Sequence, residues 1–139
     1  MSHLFNVLSG RLATNLEKEI LDLAVRIGVE AKRDNLPPTQ LEHLISSLES
    51  VEDDRNSLLV CAVFAHRQAN RLGKGYRTAR VVAEAMRRLY ELNRGREDAR
   101  KLLGLAKWVF ESAKVIQIPR EGVKSLEDYI RLLVGRTSR

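Results

Sequence analysis

From Thr14 onward the apolar residues Leu16, Ile20, Leu23, Ala24, Ile27 and Ala31 return every three or four positions. That spacing lines one face of an α-helix. The helix is expected to fail in "RDNLPP", because Pro37 and Pro38 push the residues before them toward extended geometry. A second helix over about 40–51 carries Leu41, Leu44, Ile45 and Leu48 on one side. A third, about 54–72, opens with "SLLVCAVFA", apolar all round and therefore expected at the centre of the fold. Val60 and Val63 would also suit a strand, but Ala62, Ala65 and Ala69 running on to Leu72 favour helix.

"GKG" at 73–75 stops the third helix, since glycine readily adopts the left-handed C-cap conformation. A fourth helix, about 78–93, has the stripe Ala79, Val82, Ala83, Met86, Leu89 and Tyr90, with Gly95 just beyond it. The fifth, about 97–117, turns Ala99, Leu102, Leu103, Ala106, Val109, Phe110, Ala113 and Ile116 inward. Pro119 and Gly122 separate it from a short sixth helix, 126–134. Three capping-box patterns reinforce the starts: Thr14 with Glu17, Thr39 with Glu42, and Ser125 with Asp128. The acidic run Glu52-Asp53-Asp54 reads as a cap and dipole partner for the third helix, and only weakly as a Mg²⁺ site. No internal repeat, low-complexity stretch or linker interrupts the pattern. The expected fold is all-α, a single domain spanning 1–139 and built as a bundle of five to six helices.

Composition adds little to this: 44% hydrophobic and 30% charged residues in 139 describe an ordinary globular chain. Cys61, the sole cysteine, lies in an apolar run and reads as a small buried hydrophobe. The start, "MSHLFNVLSGRLATN", lacks the sustained apolar core of a secretory signal or membrane span, so a cytoplasmic protein without membrane contact is expected.

Charge changes the picture. Residues 1–54 hold five Lys or Arg against ten Asp or Glu, a balance of −5; residues 55–139 hold nineteen against eight, a balance of +11. Such segregation favours a polyanion partner for the basic part, or an acidic neighbour in an assembly.

Catalytic chemistry is not visible. His3, His43 and His66 have no metal-ligand spacing to one another or to Cys61, and nothing nearby would activate that thiol. "GKGYRT" lacks the phosphate-loop pattern and follows a helix instead of a strand. No zinc motif or dinucleotide fingerprint occurs. A non-enzyme with no cofactor and no metal is expected.

The informative stretch is "AHRQANRLGKGYRTAR", 65–80. From Arg55 to Ala83 there is no acid, and Arg67 and Arg71, four apart, share a helix face. Lys74 follows in a Gly-flanked turn, and Arg77 and Arg80 open the next helix, whose free N–H groups also attract phosphate. Against this, basic residues at a helix C-terminus stabilise their own dipole, Arg80 and Arg88 can pair with Glu84, and Arg87 with Glu91. A second basic line, Arg100, Lys107 and Lys114, recurs every seven residues along the fifth helix. Lys101 and Trp108 lie beside it; Trp108 suits base stacking, but more often such a residue closes the core. Basic residues on several helices, with few aromatics, point to backbone contact with RNA or single-stranded DNA more than to base reading.

The late helix "RKLLGLAKWVFESAKV", 100–115, together with the chain's size, helical pattern and basic edges, resembles the small-subunit family of CRISPR RNA-guided effector complexes. The residue-level likeness covers about sixteen positions, and "LGKGYRTAR" does not match. The resemblance implies a non-catalytic ribonucleoprotein subunit that stacks in copies, docks on other subunits and touches a guide–target duplex or displaced strand through phosphates. Two other readings stand beside it. One is a helix-turn-helix DNA binder with "GKGYR" as the turn; the other is a protein-interaction bundle whose basic face meets an acidic partner.

Overall fold

The computed structural model describes residues 2–137, with side chains for 15–135. Among them are six α-helices: α1 (Ser2–Arg33), α2 (Gln40–Ser47), α3 (Asn56–Leu72), α4 (Tyr76–Glu91), α5 (Arg96–Ser112) and α6 (Leu126–Thr137). A 3₁₀ turn, Ala113–Val115, extends α5. The all-α bundle expected from periodicity is the fold observed.

Five helices close a ring in the order α1, α4, α3, α2, α5 and back to α1. Their inward faces form one core, from Leu23 and Ile27 on α1 through Leu41, Leu58, Cys61, Val82, Met86 and Leu89 to Leu102 and Leu103. A second, smaller core joins Val25 and Val29 of α1 and Val109 of α5 to Ile116, Val123 and Tyr129, and so seats α6. At Gly28, α1 approaches α5 so closely that an added Cβ would lie 2.5 Å from the Ala106 carbonyl oxygen. Only glycine permits that approach.

Several sequence expectations change. The first helix begins at Ser2, well before Thr14, so the Thr14–Glu17 pattern lies inside a helix and does not mark its start. The side chains of His3 and Thr14 lie outside the described residues. Thr39 has helical backbone (φ −79°, ψ −13°) and makes no side-chain cap bond. The third box does form in part, with the Asp128 N–H donating to Ser125 Oγ at 3.1 Å. The helix α2 ends at Ser47 because Leu48, Glu49 and Ser50 donate three residues back, winding the chain into tight turns. The helix α5 stops at Ser112, since the 3₁₀ turn leads to extended backbone at Ile116. The expectation of a central third helix also fails: α3 is on the ring, with Leu59 and Val63 on its outer face and Val63 71% exposed. Burial is deepest along Leu23–Ala31 of α1, which packs against α4, α5 and α6.

The acidic first part of the chain stabilises the basic second part. Asp34 Oδ2 accepts from the Thr78 N–H (2.9 Å) and hydroxyl (2.8 Å), capping α4. Asp54 Oδ1 accepts from Arg96 N–H at 3.0 Å, capping α5, and Asp22 Oδ1 from Leu126 N–H at 2.9 Å, capping α6. Asp53, as expected of the acidic run, caps the start of α3 through Asn56 N–H at 2.7 Å. A carboxylate at an N-terminus satisfies orphan donors and complements the dipole. Charge segregation along the sequence is thus partly a folding device.

Candidate nucleic-acid interface

The chain reverses between α3 and α4 in three residues. Gly73 (φ 69°) takes the left-handed C-cap and donates to the Ala69 carbonyl at 2.9 Å; Gly75 (φ 99°) leads into α4. The α1–α2 loop clamps this turn from beneath. Lys74 Nζ donates to the Asn35 carbonyl at 2.7 Å, and a Leu36 methyl carbon lies 3.0 Å from where a Gly75 Cβ would sit. Lys74 therefore tethers the turn to the α1–α2 loop, and its ammonium is not a free member of the basic stretch 65–80. The N-terminus of α4, expected to be open to a phosphate, is already filled by the Asp34 carboxylate.

Above the clamp stand four exposed arginines. Arg67 and Arg71 converge on Gln68 Oε1, at 3.3 and 3.5 Å, and Gln68 in turn donates to Gln40 Oε1 at 3.3 Å. Two like charges sharing one neutral acceptor leave most guanidinium donors free. Arg77 and Arg80 lie on the outer face of α4, because Thr78, Ala79, Val81 and Val82 take the inner side. Among the described residues, no carboxylate lies within ion-pairing distance of these four. The Arg80–Glu84 and Arg88–Glu84 pairs expected along α4 do not form. Glu84 instead takes Arg26 of α1 in a two-pronged contact at 3.0 and 3.1 Å, and Arg88 pairs with Glu19. Arg87 does pair with Glu91, at 2.9 Å.

The second basic line fares differently. Arg100 bonds to Glu49 and Glu97, and Lys107 Nζ lies 2.7 Å from Glu42 Oε1. These hydrogen bonds hold the Glu42 and Glu49 carboxyls below their ordinary range and raise Lys107 and Arg100 above theirs. Two of the three cations are thus met by α2 and the turn after it. Lys114 is exposed without an ion pair among the described residues. It borders a cavity of about 210 Å³ shared with Lys32, Lys107, Phe110, Glu42 and Glu111. Trp108 does not close the core; it is 72% exposed on the outer ridge of α5.

Cys61 is buried, its thiol pushed up by desolvation, and its Sγ lies 3.6 Å from the Leu44 carbonyl oxygen. No group of three His, Cys, Asp or Glu residues among those described is arranged to hold a metal. No described helix is long and apolar enough to cross a membrane.

At the far end of the hairpin the Arg55 guanidinium lies 4.0 Å above the Tyr90 ring and donates to its carbonyl at 2.7 Å. The start of α3 therefore meets the end of α4, and the two run antiparallel over about 25 Å. A helix-turn-helix reader crosses its helices nearer a right angle. One residue missed from the sequence is Tyr76, an exposed aromatic at the first position of α4. An aromatic directly after "GKG" and followed by arginine was the available signal.

Comparison with known proteins finds no matching family model, no matching curated protein and no matching solved structure.

Proposed function

We propose that this chain is a non-catalytic subunit of a ribonucleoprotein that grips nucleic-acid phosphates at the α3–α4 corner. One observation carries the reading. Arg67, Arg71, Arg77 and Arg80 stay exposed and unneutralised among the described residues, while Arg88, Arg100 and Lys107 are each met by an early glutamate. Lys101, Lys114 and Lys124 also lack an ion pair among the described residues, but they are spread over α5 and the segments after it, whereas the four arginines flank one three-residue turn and are left to an external anion. Guanidinium forks match phosphate geometry and bind without reading bases. In this reading Lys74 holds the turn, Arg100 and Lys107 hold α2 to α5, and Lys114 is a peripheral contact.

The likeness of residues 100–115 to the small subunits of CRISPR effector complexes agrees with such a role in the cytoplasm. It would bring contacts to RNA or a displaced DNA strand and self-stacking beside other subunits. Val63 on α3 and Trp108 on α5 are exposed and would gain from being covered at a subunit contact, since removing apolar surface from water is favourable. The antiparallel hairpin disfavours helix-turn-helix recognition, and an acidic protein partner is the competing occupant of the corner.

Binding of a single strand and a duplex should be measured across a salt series, for wild type and for Arg67/Arg71/Arg77/Arg80→Gln. Loss of four phosphate contacts should flatten log K against log salt by about 3 for a single strand, at roughly 0.7 per contact. An unchanged slope removes the corner from the interface.

A further inference from the structure

We infer that Tyr76 makes the corner selective for an unpaired strand by stacking on an exposed base, an inference that rests on the phosphate-binding reading above. Most aromatic side chains described are occupied. Tyr90 lies beneath Arg55, Tyr129 is buried and bonded to Ser112 and the Val109 carbonyl, and Phe64 and Phe110 pack on the core. Among the described aromatic residues, Tyr76 and Trp108 alone are exposed, at 54% and 72%. Trp108 has Gly104, Leu105, Glu111 and Ser112 as its helical neighbours. Tyr76 shares its face of α4 with the unneutralised Arg80, one turn on, and Arg77 follows it in the chain, while Arg71 lies on α3 before the three-residue turn.

The backbone under Tyr76 is held. Gly75 sits against Leu36, and Thr78, two residues on, is pinned twice by Asp34. The ring is therefore carried on a fixed support, and stacking orders only its own two torsions. The Tyr76 hydroxyl makes no hydrogen bond and its ring no cation–π contact among the described residues, so the exposed part of the ring is not committed within the fold. A base in a duplex has both faces covered by its neighbours, whereas a single strand offers them to a side chain. Cations that track the backbone beside an aromatic that takes a base face are the two parts of a single-strand site.

The test compares single-stranded RNA, single-stranded DNA and the matching duplexes, each of about 16 nucleotides, against wild type, Tyr76→Ala and Tyr76→Phe. Tyr76→Ala should weaken both single strands about 10-fold and the duplexes less than about 2-fold. Its salt slope should equal that of wild type, because stacking releases no counterions. Tyr76→Phe, which keeps the ring face, should bind as wild type does. Equal losses on strand and duplex, no loss at all, or a loss in Tyr76→Phe as large as in Tyr76→Ala would each overturn the inference. The four-arginine variant, run in parallel, reports separately on the phosphate reading. If its slope falls while Tyr76→Ala is silent, only the stacking role is lost. Binding of an acidic protein with no affinity for any strand at low salt would overturn both.

Discussion

The Asp34 carboxylate accepts two hydrogen bonds from Thr78, one from the backbone N–H and one from the hydroxyl, across 44 residues of sequence. It fills the helix N-terminus that the basic corner would otherwise offer to a phosphate, so affinity for a polyanion must come from side chains. Removing it has two opposed consequences. Asp34→Ala should lower stability by about 1–2 kcal/mol, the usual cost of losing a cap, read by urea denaturation. The same change should raise polyanion affinity a few-fold at fixed salt, because a fixed negative charge leaves the corner. A drop in affinity would mean that the clamp on the turn matters more to binding than the charge does.

The two basic lines should separate in a binding assay. Arg77→Gln with Arg80→Gln should flatten the single-strand salt slope by about 1.4, from two lost contacts at roughly 0.7 each. Arg100→Gln with Lys107→Gln should leave it within about 0.5, because Glu49, Glu97 and Glu42 already hold those cations. Equal slopes for the two double variants would show that the internal pairs open readily for phosphate.

Acid should loosen the α2–α5 seam. Glu42 and Glu49 are held below the ordinary carboxyl value of 4.5 by Lys107 and Arg100 respectively. A carboxyl depressed in the folded state contributes stability above its unfolded value, and loses it as pH falls through the folded one. The difference in urea midpoint between wild type and Glu42→Gln/Glu49→Gln should therefore be constant at neutral pH. It should shrink as pH drops below about 4.5 and vanish once both carboxyls are protonated. A difference independent of pH over that range would assign the effect to packing.

Two glycines within helices should respond to alanine with opposite signs. At Gly104 an added Cβ meets nothing within 4 Å, so Gly104→Ala should stabilise by about 0.5–1 kcal/mol through helix propensity. At Gly28 the Cβ would lie 2.5 Å from the Ala106 carbonyl and 2.7 Å from Val109 Cβ. Separating α1 from α5 to admit it should cost about 1–3 kcal/mol, the scale of overpacking. Thermal midpoints of the two variants should fall on either side of wild type.

Cys61 offers a probe of core opening. Its burial keeps the thiol protonated and out of reach, so alkylation at pH 8 should wait on unfolding. Labelling should accelerate with urea in parallel with loss of helical signal. Rapid labelling of the folded protein would contradict the packing of α2 on α3.

Much of the architecture was legible in the chain. Glycine and proline punctuation marked the ends of α1, α3 and α4, and apolar periodicity identified the inward faces of α4 and α5. The outward side of the third helix is not legible because the polar residue of "SLLVCAVFA", Ser57, is itself buried, while the apolar Leu59 and Val63 are exposed. The Thr39 box was misread because a pattern of donors and acceptors does not fix the backbone angles that a cap requires. Tyr76 was overlooked since an aromatic after a turn looks the same whether it points inward or out.

What the sequence determined by itself is the set of helices and the excess of positive charge after Arg55. Both depend on residues within a turn or two of one another, or on simple totals. Which cations remain available was decided only by tertiary structure. Arg100 meets Glu49 across 51 residues and Arg88 meets Glu19 across 69, whereas Arg77 and Arg80, no less basic in sequence, meet no acid among the described residues. Ion pairing acts over a few ångströms in space, and distance along the chain does not report it until the helices have packed.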